Sequence, residues 1–219
     1  MEHRPKHKPL AVIFLLSFVF LMSSCLGVNM NIALNQNGSG TIALEYRISR
    51  TLDALGRLDG NERWNTIPIG RADFERTVDR LPDIKLISFS SREDGKNLLI
   101  SAKLEFTSLK GLLAFLDAGG RRSSFSGDAR SGSMVLSLSE GAENINSGLN
   151  GLIAAVCESY TVDLSMNFPS EGSLSVTDRH GKALAAGNDI IAKGKRVSCS
   201  FPLYEIFSSG NGINVEFLW

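Results

Sequence analysis

Apolar and polar residues alternate along many short stretches of this chain. Residues 28–34 (VNMNIAL) and 42–48 (IALEYRI) carry apolar side chains at every second position, and an Asn- and Gly-rich turn joins them. Side chains of a β-strand point alternately to its two faces, so a period of two predicts strands with one buried face. The pair predicts a β-hairpin. The same pattern predicts further strands at 84–90, 98–106, 123–126, 134–138, 162–168, 174–176, 197–201 and 213–219.

Helical spacing of apolar residues is less frequent. It predicts amphipathic helices at 70–81, 108–117 and 143–157, and a short helical turn at 202–208. Thr107 or Ser108 is a suitable N-cap for the second helix. Strand pairs separated by single helices predict an α+β fold, namely a mostly antiparallel β-sheet with about three amphipathic helices packed on it.

The chain is long enough to bury a core. It has 219 residues, of which 43% are hydrophobic, and this suits one domain or two small ones. No Pro-rich linker divides it, so we expect a single α+β domain over residues 25–219. The weakest seam is the Gly-, Ser- and Arg-rich stretch 118–133, which we expect to be mostly loop.

The first 24 residues have the organisation of a signal peptide. A cationic start precedes an apolar run of thirteen residues at 10–22. A membrane-spanning helix needs about 20 apolar residues, so this run fits the core of a signal peptide better than a span. Small residues before Cys25 resemble a bacterial lipobox. The resemblance implies cleavage after residue 24 and acylation of Cys25; the alternative is an ordinary secretory signal with a cysteine near its end.

The acyl chains would be the membrane partner of the protein. Two or three chains are enough for stable anchoring. Leu26 rather than an aspartate follows the cysteine, so we expect a cell-envelope location on the outer membrane more than on the inner membrane. Lys plus Arg and Asp plus Glu each number 23, which gives a formal net charge of zero. This balance argues against nucleic acid as a partner.

The sequence lacks the residue sets that enzymes commonly use. Only His180 remains after removal of residues 1–24, and it lies in a turn-like stretch where we expect it to be exposed. One histidine without a Cys-x-x-Cys pair does not build a zinc site. Nucleotide-binding glycine motifs and the Gly-x-Ser-x-Gly elbow are also missing. We therefore predict no catalytic residues, no metal, no cofactor and no enzymatic activity.

Two cysteines besides Cys25 belong to the predicted domain. Cys199 is in phase with the apolar residues of its strand, and Cys157 lies on the apolar face of the predicted helix 143–157. They are a candidate disulfide pair in an oxidising envelope, where the long loop that they close would contribute about 4 kcal/mol. The alternative is two buried free thiols.

Arg121 and Arg122 lie together in the predicted loop 118–133. They are candidates for contact with a phosphate or a lipid headgroup. The alternative is a pair of solvated loop residues.

Several segments resemble the LppM-type lipoproteins of bacteria. The resemblance rests on the opening CLGVNMNIALNQNGSGTIALEYRIS, on Leu104–Leu109, on the Asn167-Phe168-Pro169 step, on the turn at Asp178–Gly181 and on the closing strand Ile213–Trp219. It implies an envelope-exposed α+β domain with a lipid- or glycolipid-binding role and supplies no catalytic residues. LppM-type proteins usually carry a membrane helix near the C-terminus, which this sequence lacks.

These features favour a non-enzymatic bacterial envelope lipoprotein that binds a lipid or another amphiphilic ligand. The alternative is a structural or assembly lipoprotein that binds another envelope protein through exposed sheet edges or the loop 118–133. A hydrolase has the least support, because the usual nucleophile and base are missing.

Overall fold

Strands form most of the structure. The computed structural model describes residues 27–49, 68, 70–95, 97–117, 122–139, 160–184, 189–208 and 212–219. In chain order, the elements in this part of the chain are β1 (Val28–Leu34), β2 (Gly40–Ser49), α1 (Arg71–Val78), β3 (Ile84–Asp94), β4 (Asn97–Phe106), α2 (Leu109–Leu116), β5 (Ser124–Gly127), β6 (Gly132–Ser139), β7 (Thr161–Asn167), β8 (Ser173–Thr177), β9 (Asp189–Lys193), β10 (Arg196–Pro202), α3 (Leu203–Ser208) and β11 (Ile213–Leu218).

The strands form two sheets. The large sheet has seven strands in the order β3-β4-β2-β1-β7-β10-β9, and the small sheet has four in the order β5-β6-β11-β8. Neighbouring strands are antiparallel except for β1 and β7, which pair in parallel with Val28 opposite Val162. The two halves of the large sheet therefore meet at β1, the first strand of the described chain.

The period-two pattern explains which face of the large sheet is buried. Ile32 pairs with Ile42 on one side and with Met166 on the other, so three apolar side chains form a row across the sheet. All three are almost fully buried. The residues that alternate with them have short side chains, several of them polar. On this opposite face Asn167 donates a hydrogen bond from Nδ2 to Oδ1 of Asn31 at 2.9 Å. One face is therefore dry and the other polar, as alternation dictates.

The small sheet contributes to the same core. Its buried residues belong to one hydrophobic cluster with those of the large sheet. Phe168, just after β7, stacks on Trp219 with ring centroids 5.1 Å apart and meets the edge of Phe217 at 6.4 Å. Trp219 in turn stacks on Phe125 of β5 at 6.1 Å. This row of aromatic rings joins the two sheets.

The predicted α+β fold class is wrong. Among the described residues, strand accounts for 57% and helix for 14%. Within the same part of the chain, the large sheet is not covered by the three amphipathic helices that were expected. α1 and α2 have eight residues each, and Phe74 is the buried residue of α1. Much of the apolar surface that the helices were expected to cover is buried together with the small sheet instead. The predicted helix 143–157 lies outside the described residues.

Individual elements agree better with the sequence patterns. α1 and α2 fall inside the predicted ranges 70–81 and 108–117, and α3 occupies the predicted helical turn. Half of the described part of the expected loop, 122–133, is strand, because β5 pairs with β6 from Ser124 opposite Val135 to Gly127 opposite Gly132. β9 has no counterpart among the predicted strands.

Candidate functional site

Of the residues predicted as sites from the sequence, the structure describes Arg122 and Cys199. Cys25, Cys157 and Arg121 lie outside the described residues. Arg122 is exposed just before β5. Its backbone N–H donates to Oδ2 of Asp117 at 2.9 Å, so the Asp117 carboxylate fixes the path of the chain at this position.

Cys199 lies in the dry face of the large sheet. Its side chain has 2% of its surface exposed and forms no disulfide with another described residue. Burial raises the pKa of the thiol to about 12, and the nearby Asp163 carboxylate adds to the shift. A thiol in this state is a poor nucleophile at neutral pH. Pairing with Cys157 stays a prediction beside its free-thiol alternative, because Cys157 is outside the described residues.

His180 is an exposed turn residue, as predicted. The buried Asp178 carboxylate accepts hydrogen bonds from the backbone N–H groups of His180 at 2.8 Å and Lys182 at 2.9 Å. These bonds hold the pKa of Asp178 below its usual range, with Lys182 N–H as the largest cause. Asp178 thus supports the turn and does not orient His180 as a base.

A groove forms where three distant chain segments meet, and we call it the turn groove. Its volume is about 500 Å³, and it is open to solvent. It is lined by the β1–β2 turn, by the start of α2 and by the β5–β6 hairpin, through Gln36, Asn37, Gly38, Thr107, Ser108, Leu109, Lys110, Phe125, Gly127, Asp128, Ala129 and Arg130.

The β1–β2 turn is held by its own polar groups. Oδ1 of Asn37 accepts hydrogen bonds from the backbone N–H and the hydroxyl of Ser39, at 3.1 and 2.7 Å. Gly38 has a φ of 83°, in the left-handed region that favours glycine. The Asn-Gly pair that predicted this hairpin therefore also forms one side of the groove.

Asp83 ties the start of α2 to the large sheet. Its two carboxylate oxygens accept hydrogen bonds from the hydroxyls of Thr107 at 3.0 Å and Ser108 at 2.7 Å. Ser108 also accepts from the backbone N–H of Gly111 at 3.0 Å and is the predicted N-cap. The Ser108 and Thr107 bonds, in that order, hold the pKa of Asp83 below its usual range.

The β5–β6 hairpin supplies the opposite side of the groove. Oδ1 of Asp128 accepts hydrogen bonds from the backbone N–H groups of Arg130 at 2.7 Å and Ser131 at 3.2 Å. These two bonds, that of Arg130 first, hold the pKa of Asp128 below its usual range. The indole N–H of Trp219 donates to the carbonyl oxygen of Asp128 at 3.0 Å. The hairpin is therefore attached to the aromatic row through Trp219.

The turn groove combines an apolar surface with two exposed cations and one exposed carboxylate. The half-buried Phe125 ring lies beside buried Leu109 and Ala129, whereas Lys110 and Arg130 are exposed. Asp128 is ionised at neutral pH because its pKa is lowered, and Ser108 already makes two hydrogen bonds. The lining thus provides binding groups and no activated nucleophile.

The described residues contain neither a candidate metal site nor a candidate membrane-spanning helix. Among the described residues, no group of three His, Cys, Asp or Glu side chains is placed to hold a metal ion. Within the same ranges, no helix has the length and apolar character needed to cross a membrane.

The chain was compared with known proteins by sequence and by structure. No protein-family model, curated protein or solved structure matches it.

Sequence patterns indicated parts of the groove but not the whole. The Asn-Gly turn and the Ser108 cap both gave local signals. Phe125 falls in the predicted strand 123–126, whereas Asp128 and Arg130 were covered only by the expectation of a loop at 118–133. An Asp two residues before Arg130 in a Gly/Ser-rich stretch is typical of a turn held by a carboxylate, and this signal could have located the hairpin.

Proposed function

We propose that this protein is a non-enzymatic lipoprotein of a bacterial cell envelope and that it binds an amphiphilic ligand in the turn groove. The observation that carries this proposal is the composition of the groove. The Phe125 ring and two exposed cations, Lys110 and Arg130, line one space of about 500 Å³. Small-molecule sites commonly have volumes of roughly 300–1,000 Å³, an apolar lining and a few polar groups that set orientation.

The shape of the groove suits one part of an amphiphile. Because the groove is open, it would cover a headgroup and the adjacent part of an apolar chain rather than enclose a whole lipid. The apolar portion would lie against Phe125, and an anionic headgroup would lie between the ammonium group of Lys110 and the guanidinium group of Arg130. Arginine in particular suits phosphate and carboxylate groups.

The proposed anchor at Cys25 would keep the groove close to a membrane. A lipoprotein held by its acyl chains stays close to amphiphiles of the same membrane. The residue after the cysteine, Leu26, favours the outer membrane over the inner membrane. Arg121 and Arg122 stay candidates for contact with the headgroup, and Arg122 lies three residues before Phe125 in the chain. Nucleic acid, metal and cofactor have no part in this proposal.

The two groove cations provide the test. We expect the double variant Lys110→Glu/Arg130→Glu to bind fluorescent lysophosphatidylglycerol about tenfold more weakly than wild type, since two exposed charge contacts are lost. Binding is measured by fluorescence anisotropy with the full chain in amphipol and with the probe below its critical micelle concentration. The neutral probe lysophosphatidylcholine should show little change.

A second double variant controls for net charge. Lys85→Glu/Lys103→Glu changes the net charge by the same amount, at exposed positions of the large sheet outside the groove. It should bind the anionic probe as wild type does. Equal binding by wild type and both double variants would contradict the proposed site.

A further inference from the structure

The four sheet edges of the molecule are not protected equally. An open edge offers unpaired backbone groups to another strand, and proteins commonly blunt it with charges, bulges or short length. β3 has an irregular register between Leu86 and Ser88 and ends in the charged residues Arg92, Glu93 and Asp94. β5 has four residues. β8 is partly covered, because Thr177 forms a bridge with Ala183.

β9 is also short and has charged ends, but two of its five residues are exposed isoleucines. Within the described chain it pairs with β10 alone and forms one edge of the large sheet. Ile190 is 44% exposed and Ile191 is 50% exposed, and adjacent residues of a strand point to opposite faces. Ile190 lies opposite Cys199, which is buried. The apolar row of the large sheet therefore continues to the edge and ends at an exposed isoleucine.

We propose that β9 pairs antiparallel with β9 of a second copy of this chain. The strand reads DIIAK. Antiparallel pairing centred on Ile191 places the acidic first position of one copy opposite the basic last position of the other, at both ends of the pair. Such a contact is isologous and closes with twofold symmetry. Parallel pairing in register would instead place like charges opposite each other, which destabilises a pair.

Self-pairing is the arrangement that this strand sequence suits best. Each copy extends the large sheet of the other, and Ile191 of one copy lies directly opposite Ile191 of its mate. Five residues form a short interface, so the dimer is a weak one in the class of transient contacts. The proposal is independent of the turn groove, because none of the residues that line the groove belongs to β9.

Register-specific cross-linking tests the pairing. In the full chain in native membranes, Ile191→Cys should give a disulfide-linked dimer on oxidation with copper phenanthroline. The two Cα atoms would lie about 4.5–5.5 Å apart, within disulfide range. Ile190→Cys would lie opposite residue 192, with its own mate about 8 Å away, which is too far for a disulfide.

Three controls accompany this variant, namely Ile190→Cys, wild type and Ile87→Cys. Wild type gives the background from the native cysteines. Ile87→Cys is matched in exposure, with Ile87 43% exposed on the β3 edge. We expect the dimer yield of Ile191→Cys to exceed that of all three by about fivefold or more. Equal yields, absence of a dimer, or an adduct with a different protein would overturn the proposal, and the last result would favour an assembly role with another envelope protein.

Charge reversal gives a second, independent measurement. In the Ile191→Cys background, Asp189→Lys places like charges at both ends of the pair and should lower the dimer yield about threefold or more. Adding Lys193→Asp restores opposite charges and should restore the yield. Failure of the double variant to recover, with folding unchanged by circular dichroism, would contradict this register.

Discussion

Asp83 shows how much one side chain can decide in this protein. Its carboxylate links the end of one loop to the cap of α2 through Thr107 and Ser108. Ser108 was predictable as an N-cap because capping is local. Its partner Asp83 is 25 residues away in sequence, and no sequence pattern predicts which distant carboxylate accepts its hydrogen bond. Local roles were thus predictable, and non-local partners were not.

Two buried acids with raised pKa values should make the fold sensitive to alkali. The Tyr46 hydroxyl is buried without a hydrogen-bond partner among the described residues. Burial, with a smaller contribution from Asp73, raises the pKa of this phenol. Burial raises the pKa of the Cys199 thiol to about 12, whereas a thiol in an unfolded chain titrates near about 8.5.

The resulting dependence of stability on pH has a definite sign. Above about pH 8.5 the unfolded chain releases the Cys199 proton and the folded chain keeps it, so the free energy of unfolding falls as pH rises. We expect a loss of about 2 kcal/mol at pH 10 relative to pH 8 from this thiol. Urea unfolding of the reduced full chain at both pH values measures it. Cys199→Ala should show a clearly shallower loss, and an unchanged slope would contradict this assignment.

At the scale of elements, α2 owes its position to close contact rather than to length. Its eight residues approach β3 so closely that a Cβ atom on Gly111 would overlap the side chain of Asp83. Glycine is unfavourable inside a helix by roughly 1 kcal/mol relative to alanine. Its presence in the first turn of α2 is therefore explained by packing and not by helix propensity.

Gly111→Ala should destabilise the protein despite the better helix former. We expect the overlap with Asp83 to outweigh the gain in propensity and to lower the free energy of unfolding by about 1–2 kcal/mol. Urea unfolding followed by tryptophan fluorescence measures the change. Lys110→Ala, at the exposed neighbouring position, should stay within about 0.5 kcal/mol of wild type. A stabilised Gly111→Ala variant would show that α2 can move away from the loop.

The strands differ in how well sequence alone located them. β1, β2 and β4 alternate over most of their length, and each was predicted within a few residues. β9 was missed because its two isoleucines are adjacent rather than alternating, a pattern that periodicity does not assign to a strand. The parallel pairing of β1 with β7 was also beyond prediction, since it joins residues 134 positions apart, such as Val28 and Val162.

At the scale of the whole molecule, alternation predicted that each strand has one dry face but not what covers it. A helix layer and a second sheet satisfy the same pattern. The structure buries residues of both sheets in one cluster, and this is why the predicted helix layer was wrong. The turn groove could not be predicted for a related reason, because it exists only where both sheets and α2 come together.

The proposed anchor belongs to this scale, because it would determine where the folded body resides. We expect labelled palmitate to be incorporated into the full chain and not into the Cys25→Ala variant, because the proposed site of acylation is the sulfur of Cys25. Incorporation is measured in a bacterial host by fluorography. Ser24→Ala, next to the target cysteine, should label as wild type does. Equal labelling of Cys25→Ala would leave an ordinary secretory signal as the better interpretation.

The central place of β1 would have a mechanical consequence if the chain is anchored at Cys25 as proposed. Only two residues separate that cysteine from Val28, and β1 has β2 on one side and β7 on the other. A force applied at the anchor would act on the hydrogen bonds of β1 with β2 and with β7 at the same time, instead of separating an edge strand from the sheet. The sheet would then resist tension as a unit, so a drag on the body would strain the lipid attachment before it unravelled the fold.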